Sequence, residues 1–174
     1  VMISAAATDT QVFSLQLRLD RIAPEQSAQH IERHARLLQP LLAAPLDTPY
    51  QLAIQVSQPR PYPQSHEWDF ALAICRQAKS PRIGLALNFY PDDFHGQGEL
   101  KPLLNSCFEH LHVVCFHYNP LLGETLFDDE QIAWAEELKS RDFKGLVVFC
   151  PETDSRSNLS GVCEDALSWA DFYS

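Results

Sequence analysis

The stretch PRIGLALNFYPDDFHGQGELKPLLNSCFEHLHVVCFHYN, Pro81 to Asn119, decides the fold. Two short apolar runs, Ile83–Leu87 and His112–Phe116, enclose one helical segment. Each run ends abruptly in polar or ionisable residues: Asn88, Asp92, Asp93 and His95 after the first, His117 and Asn119 after the second. Buried strands with chemistry at their carboxyl ends are how a parallel β/α unit presents a site.

The same alternation extends to both sides. Gln51–Val56 and Leu146–Cys150 read as further strands, and the centres Ile54, Ala86, Val114 and Val148 recur at about 30-residue intervals, the period of successive strand–helix units. Between them, Trp68, Ala71, Leu72 and Cys75 mark a helix that must stop before Pro81, and Leu103, Leu104, Cys107, Phe108 and Leu111 mark one over Leu100–Leu111. Gly96 and Gly98 are expected to turn the loop before it. Ile132, Ala135 and Leu138 line another helix, with Asp128 and Gln131 spaced as a capping box. Gly145 is expected to close the turn into Leu146–Cys150, and Asn158–Trp169 reads as the last helix.

Towards the amino terminus, Phe13, Leu15, Leu17 and Leu19 alternate with polar residues, which predicts a strand at a sheet edge or along a polar cavity. Val1–Ala7 is a second short strand candidate. Both are available to finish an open sheet edge. Ile31, Ala35, Leu38 and Leu42 recur at helical spacing, with Pro24 placed for the first turn and Pro40 expected to break or kink the helix near its end. The Pro-rich run Gln58–Gln64 reads as a stiff loop, either a rim over the site or a plain connector.

The expected fold class is therefore α/β, a single domain over 1–174 built of parallel (β/α) units. It is either a partial barrel of the TIM type or, as the alternative, an open doubly wound sheet. The open folds' phosphate fingerprints, GxGxxG and GxxxxGK[ST], are absent from the sequence. With 174 residues, 45% of them apolar and 21% charged, the chain has enough material for a sizeable core. A net charge of −10 with scattered Lys and Arg makes nucleic acid an unfavourable partner. No run approaches a membrane span, so no membrane partner and a cytoplasmic setting are expected. Val at position 1 fits a chain trimmed from a longer one. The five cysteines lack zinc or CxxC spacing and read as reduced, buried thiols.

Four stretches carry a family resemblance: LAIQV at Leu52–Val56, SPRIGLALNFYPDDFHGQG at Ser80–Gly98, LHVVCFHYN at Leu111–Asn119 and FKGLVVFCPE at Phe143–Glu152. In order and pattern this resembles the carboxyl-terminal half of the xylose-isomerase-like TIM barrels, the sugar-phosphate isomerases and epimerases with their endonuclease-IV-type relatives. The resemblance implies a sugar or sugar-phosphate isomerase/epimerase with a small carbohydrate as its partner. In that family, carboxylates and histidines at strand ends hold a divalent ion (Zn, Mn or Mg). Here Gln55 and Asn88 stand where two of the carboxylates stand. The family's strand-seven His falls nearest Cys115, with His117 two residues on, and the last Glu falls nearest Cys150, with Glu152 two residues on. A shift of two keeps the face of a strand.

His117 and Glu152 are thus the catalytic candidates, His117 as a ligand or general base and Glu152 as a proton-transfer carboxylate; their bland readings are a hydrogen-bonded His and a loop charge. Gln55, Asn88 and Asn119 suit hydrogen bonds to sugar hydroxyls, or to backbone and each other. Asp92 and His95 keep a D-x-x-H spacing and are the metal candidates, against a solvated loop with an Asp cap. The site either holds an ion or has none. The alternative function is a non-catalytic binding or interaction module derived from the barrel, which fits the loss of two carboxylates. A partial barrel has open edges, for which a homodimer is one remedy. His30 and His34 have an i,i+4 spacing but no third ligand, and His110 and His112 fall at the wrong end of the sheet; all four read as structural.

Overall fold

A computed structural model describes residues 3–5, 11–17, 27–43, 50–56, 66–90, 97–119, 129–151 and 159–173. Among these, six strands and five α-helices follow in the order β1 (Ile3–Ala5), β2 (Gln11–Leu17), α1 (Ser27–Ala43), β3 (Tyr50–Val56), α2 (His66–Ala78), β4 (Ile83–Phe89), α3 (Gln97–Cys107), β5 (Leu111–Tyr118), α4 (Asp129–Ser140), β6 (Leu146–Pro151) and α5 (Leu159–Tyr173). It is a mixed α/β fold with four parallel strands. No described helix is long and apolar enough to cross a membrane.

The chain forms two compact units, and β4 and β5 each contribute to both. The first comprises residues 8–87 and 107–113. Its strands lie in the order β5-β4-β3-β2. β2 pairs with β3 in parallel, Phe13 opposite Leu52 and Gln16 opposite Gln55; β3 pairs with β4 in parallel, Leu52 opposite Ile83 and Gln55 opposite Ala86. The alternating strand β2 is an edge, as its pattern predicts.

α1 packs on α2, burying Ala35 and Leu42 against a helix whose Trp68, Ala71, Leu72 and Cys75 are all buried. Pro40 does not end α1, which continues to Ala43. Side chains from elsewhere satisfy the carbonyls that the helix end leaves open. The Tyr50 hydroxyl donates to the Leu41 carbonyl, and Arg82 Nη1 donates to that of Leu42 at 3.2 Å. The Arg82 guanidinium also lies 5.3 Å from the centre of the Tyr50 ring, a cation–π contact. Gln39 Nε2 closes the end of α2 by donating to the Ala78 carbonyl at 3.3 Å. Lys79 then takes a left-handed conformation, φ 51°, which stops α2 ahead of Pro81.

The second unit comprises residues 1–7, 88–106 and 114–174. Its strands lie in the order β1-β6-β5-β4, with β1 antiparallel to β6 and Ile3 opposite Phe149. The Val1–Ala7 run therefore does supply an edge strand, shortened to Ile3–Ala5. The core here is aromatic. Phe116 lies 5.3 Å from Phe89, 6.2 Å from Phe149 and 5.3 Å from Trp169, while Phe89 lies 4.1 Å from Trp134, all between ring centres. Such pairs contribute roughly 0.5–1.5 kcal/mol each beyond their burial.

Further boundaries differ from the sequence reading. Gly98 lies inside α3, not in a loop, because that helix starts at Gln97 and gives way at Phe108 to a single 3-10 turn. α4 is ended by Asp142, at φ 57°, three residues ahead of Gly145, which stands in a bend directly before β6. The Asp142 amide donates to the Lys139 carbonyl at 3.0 Å and that of Phe143 to Leu138 at 3.1 Å, a left-handed cap that Asp tolerates. α5 runs on to Tyr173. Pro24, Gln58–Gln64, Gly96 and Asp128 lie outside the described residues.

Candidate functional site

All seven residues of β4 are buried. Phe89 turns to Trp134 of α4, so alternation sends its neighbour Asn88 to the face away from that helix. β5 repeats the arrangement. Phe116 packs on Trp134 and Trp169, and His117 projects from the opposite face beside Asn88. The two meet: His117 Nε2 donates to Asn88 Oδ1 at 3.1 Å. Both residues lie within the last two positions of their strands, where the apolar pattern alone would end each strand one or two residues earlier.

Two further side chains hold His117. The Tyr90 ring stacks on the imidazole at 4.0 Å between centres and 23° between planes. From α4, Gln131 Nε2 donates to the His117 carbonyl at 3.3 Å. Gln131 is only 2% exposed, and its Oε1 has no hydrogen-bond partner among the described residues. The amide thus serves a strand end rather than the capping box that its spacing predicts. With Nε2 donating to Asn88, the imidazole is held in one orientation at the strand end.

One step back along β5 and β6 lies a second polar pair on the same face. Phe149 packs edge-on against Trp169 at 5.1 Å, so Cys150 points the other way, as Cys115 does beside Phe116. The neighbouring Cys150 thiol, together with burial, pushes the Cys115 thiol up, and Cys115 in turn pulls Cys150 down against the effect of burial. All five cysteines are free, but Cys163 is exposed and Cys150 half-buried, contrary to the expectation of a uniformly buried set.

The predicted residues divide accordingly. Asn88 and His117 are brought together. Asn119 follows β5 directly and is half-buried. Gln55 belongs to the other compact unit, on the face of β3 that carries Ala53, opposite Ala86 of β4. Glu152, Asp92 and His95 lie outside the described residues. Among the described residues no group of three His, Cys, Asp or Glu side chains is gathered to hold a metal. The described members of the site offer amides, an imidazole and thiols but no anionic oxygen, a donor set that does not fit a hard divalent ion such as Mg or Mn.

His30 and His34 are structural, as expected. His34 Nδ1 bonds the His30 carbonyl at 2.7 Å, and its ring meets Phe70 edge-on at 5.7 Å. A hollow along α1, lined by Gln29, His30, Glu32, Arg33, Arg36 and Leu37, involves a single helix and mixed charges, with Glu32 and Arg36 already paired at 2.6 Å. It shows no convergence of chemistry. Sequence reading overlooked Tyr90, Gln131 and the thiol pair. Only the Cys115 and Cys150 positions carried a signal, two residues before His117 and Glu152. Comparisons with protein-family models, curated proteins and solved structures found no match.

Proposed function

We propose that the carboxyl ends of β4 and β5 bind a small carbohydrate or sugar phosphate, in a divergent protein of the xylose-isomerase-like barrel line. The supporting observation is His117, held by Asn88 at 3.1 Å and stacked on Tyr90 at 4.0 Å. An imidazole held in one orientation at a strand end is a group suited to proton transfer. Within the first unit β2 pairs with β3 in parallel and β3 with β4 in parallel, as successive strand–helix units do.

In the catalytic form of this reading, His117 takes a proton from the carbon next to a carbonyl and a proton is returned to the neighbouring carbon. Glu152, one residue beyond β6, is the second carrier. The second reading, a binding module without turnover, is favoured by the neutral Gln55 and Asn88 and by the absence of gathered metal-binding side chains among the described residues.

A panel of aldoses, ketoses and their phosphates in deuterated water distinguishes the two. Deuterium entering next to the carbonyl, and abolished by His117→Phe, establishes the isomerase. Saturation-transfer binding that is lost in Tyr90→Ala, without exchange, establishes the module. Neither exchange nor binding overturns both.

A further inference from the structure

We infer that the chain associates with a second copy of itself, the outer face of α1 on one copy meeting that of α5 on the other. The inference stands apart from the proposed carbohydrate site. Among the described residues three large apolar side chains are exposed: Leu37 at 63%, Leu41 at 49% and Leu167 at 69%. Two lie on α1 and one on α5. Leu37 and Leu41 are one turn apart and form a short stripe on the side of α1 turned away from the buried Ala35 and Leu42. The hollow lined by Arg33, Arg36 and Leu37 opens on this face and gives an incoming leucine room. Leu167 projects away from the buried side that Ala166 and Trp169 make.

Charge selects the occupant. The chain carries −10 in all, so two copies repel unless a positive surface of one meets a negative surface of the other. α1 supplies the positive surface: the exposed Arg33 and Arg36 flank the stripe, against one acidic residue, Glu32. Arg36 already pairs with Glu32 at 2.6 Å, which leaves one positive charge in excess. α5 is the opposite, with Glu164, Asp165 and Asp171 and no Lys or Arg. The exposed Glu164 and Asp171 lie three residues before and four after Leu167, on its own face. Each helix thus presents leucine rimmed by charge, and the two rims have opposite sign. Suppose Leu167 sits midway between Leu37 and Leu41. Arg36 then lies about 4.5 Å along the axis from it and Arg33 about 9 Å, against about 4.5 Å for Glu164 and about 6 Å for Asp171. The charges come level whether the helices run parallel or antiparallel. The contact is heterologous, and each copy offers both halves of it.

Sedimentation velocity tests this on the whole chain over a concentration series, in reducing buffer so that the exposed Cys163 cannot link copies. The mass should rise reversibly with concentration. Leu37→Glu with Leu41→Glu disables α1, and Leu167→Arg disables α5; either variant should self-associate at least about tenfold more weakly. An equimolar mixture of the two should regain association, because one keeps an intact α5 and the other an intact α1. Raising the salt from about 0.05 to about 0.5 M should weaken association of the parent several-fold. The inference is overturned if the parent stays monomeric up to about 1 mM, if either variant alone associates like the parent, or if the mixture regains nothing. Pairing of α1 with α1 would survive Leu167→Arg, and pairing of α5 with α5 would survive the changes in α1. An association indifferent to salt would remove the charge match and with it the choice of occupant. The substituted positions are all exposed, and circular dichroism checks that each variant is folded.

Discussion

Replacing Asn88 by Ala removes the acceptor that fixes the His117 imidazole. The bond joins an imidazole to a side-chain amide, and His117 is only half-buried, so water can replace part of it. Its net contribution should be about 1 kcal/mol. The single substitution loses more than that, because it also leaves space in a strand whose residues are all buried. A double-mutant cycle separates the two effects. His117→Phe removes the ring nitrogens and keeps a flat ring for Tyr90 to stack on, so the pair with Asn88→Ala isolates the N–H···O bond. The expected coupling is about 1 kcal/mol, or roughly 2–4 °C in Tm for a chain of this length. Urea denaturation of the four proteins measures it, provided they share one m-value. A coupling within about 0.3 kcal/mol of zero would show that Asn88 and His117 act independently, and the proposed base would lose its anchor.

Two further outcomes follow from the first compact unit. A Cβ at residue 84 would collide with the His110 carbonyl oxygen and the His112 ring, so Gly84→Ala should destabilise by about 1–3 kcal/mol, outweighing the usual gain in chain stiffness; unchanged thermal melting would refute this. His112 is held below its ordinary value, mainly by burial and also by the nearby His110, against a backbone hydrogen bond to Leu52 that acts the other way. It is neutral in the folded chain and takes a proton in the unfolded chain near pH 6.5, so its contribution is complete above that pH and is lost as pH falls through it towards the folded value. Melting temperatures from pH 7.5 to 5.5 should therefore decline, and His112→Gln should flatten the decline; an unaltered slope would remove His112 as its source.

The strands were legible because each expresses its surroundings in its own residues. β4 is apolar on both faces and is buried on both, and β2 alternates and lies at an edge. The helix ends were harder to read, because what satisfies them comes from far along the chain. Pro40 argues for an earlier stop to α1, and nothing near it announces that Tyr50 and Arg82 will take the carbonyls of Leu41 and Leu42. The left-handed residue that ends α4 was equally hidden, because Asp142 has no sequence pattern to announce it. In the site, the apolar runs pointed to Asn88 and His117, whereas their pairing depends on β4 and β5 being neighbours. Gln131 has the spacing of a local cap, but the open His117 carbonyl draws its amide across to the strand. Tyr90 belongs to no periodic pattern, and only the position of His117 gives it a role.

The contact between Gly84 and His112 also determines which alignments of β4 and β5 can exist. A slip of one residue turns every side chain to the wrong face, and burial alone forbids it. A slip of two keeps the apolar pattern intact, so hydrophobicity cannot distinguish it from the native alignment. The His112 ring lies against the bare Cα of Gly84 and bonds the backbone of Leu52. Moved two residues along, it would meet the Cβ of Ala86 and leave Leu52 behind. One missing side chain, matched by one oversized neighbour, works as a key that fits a single notch.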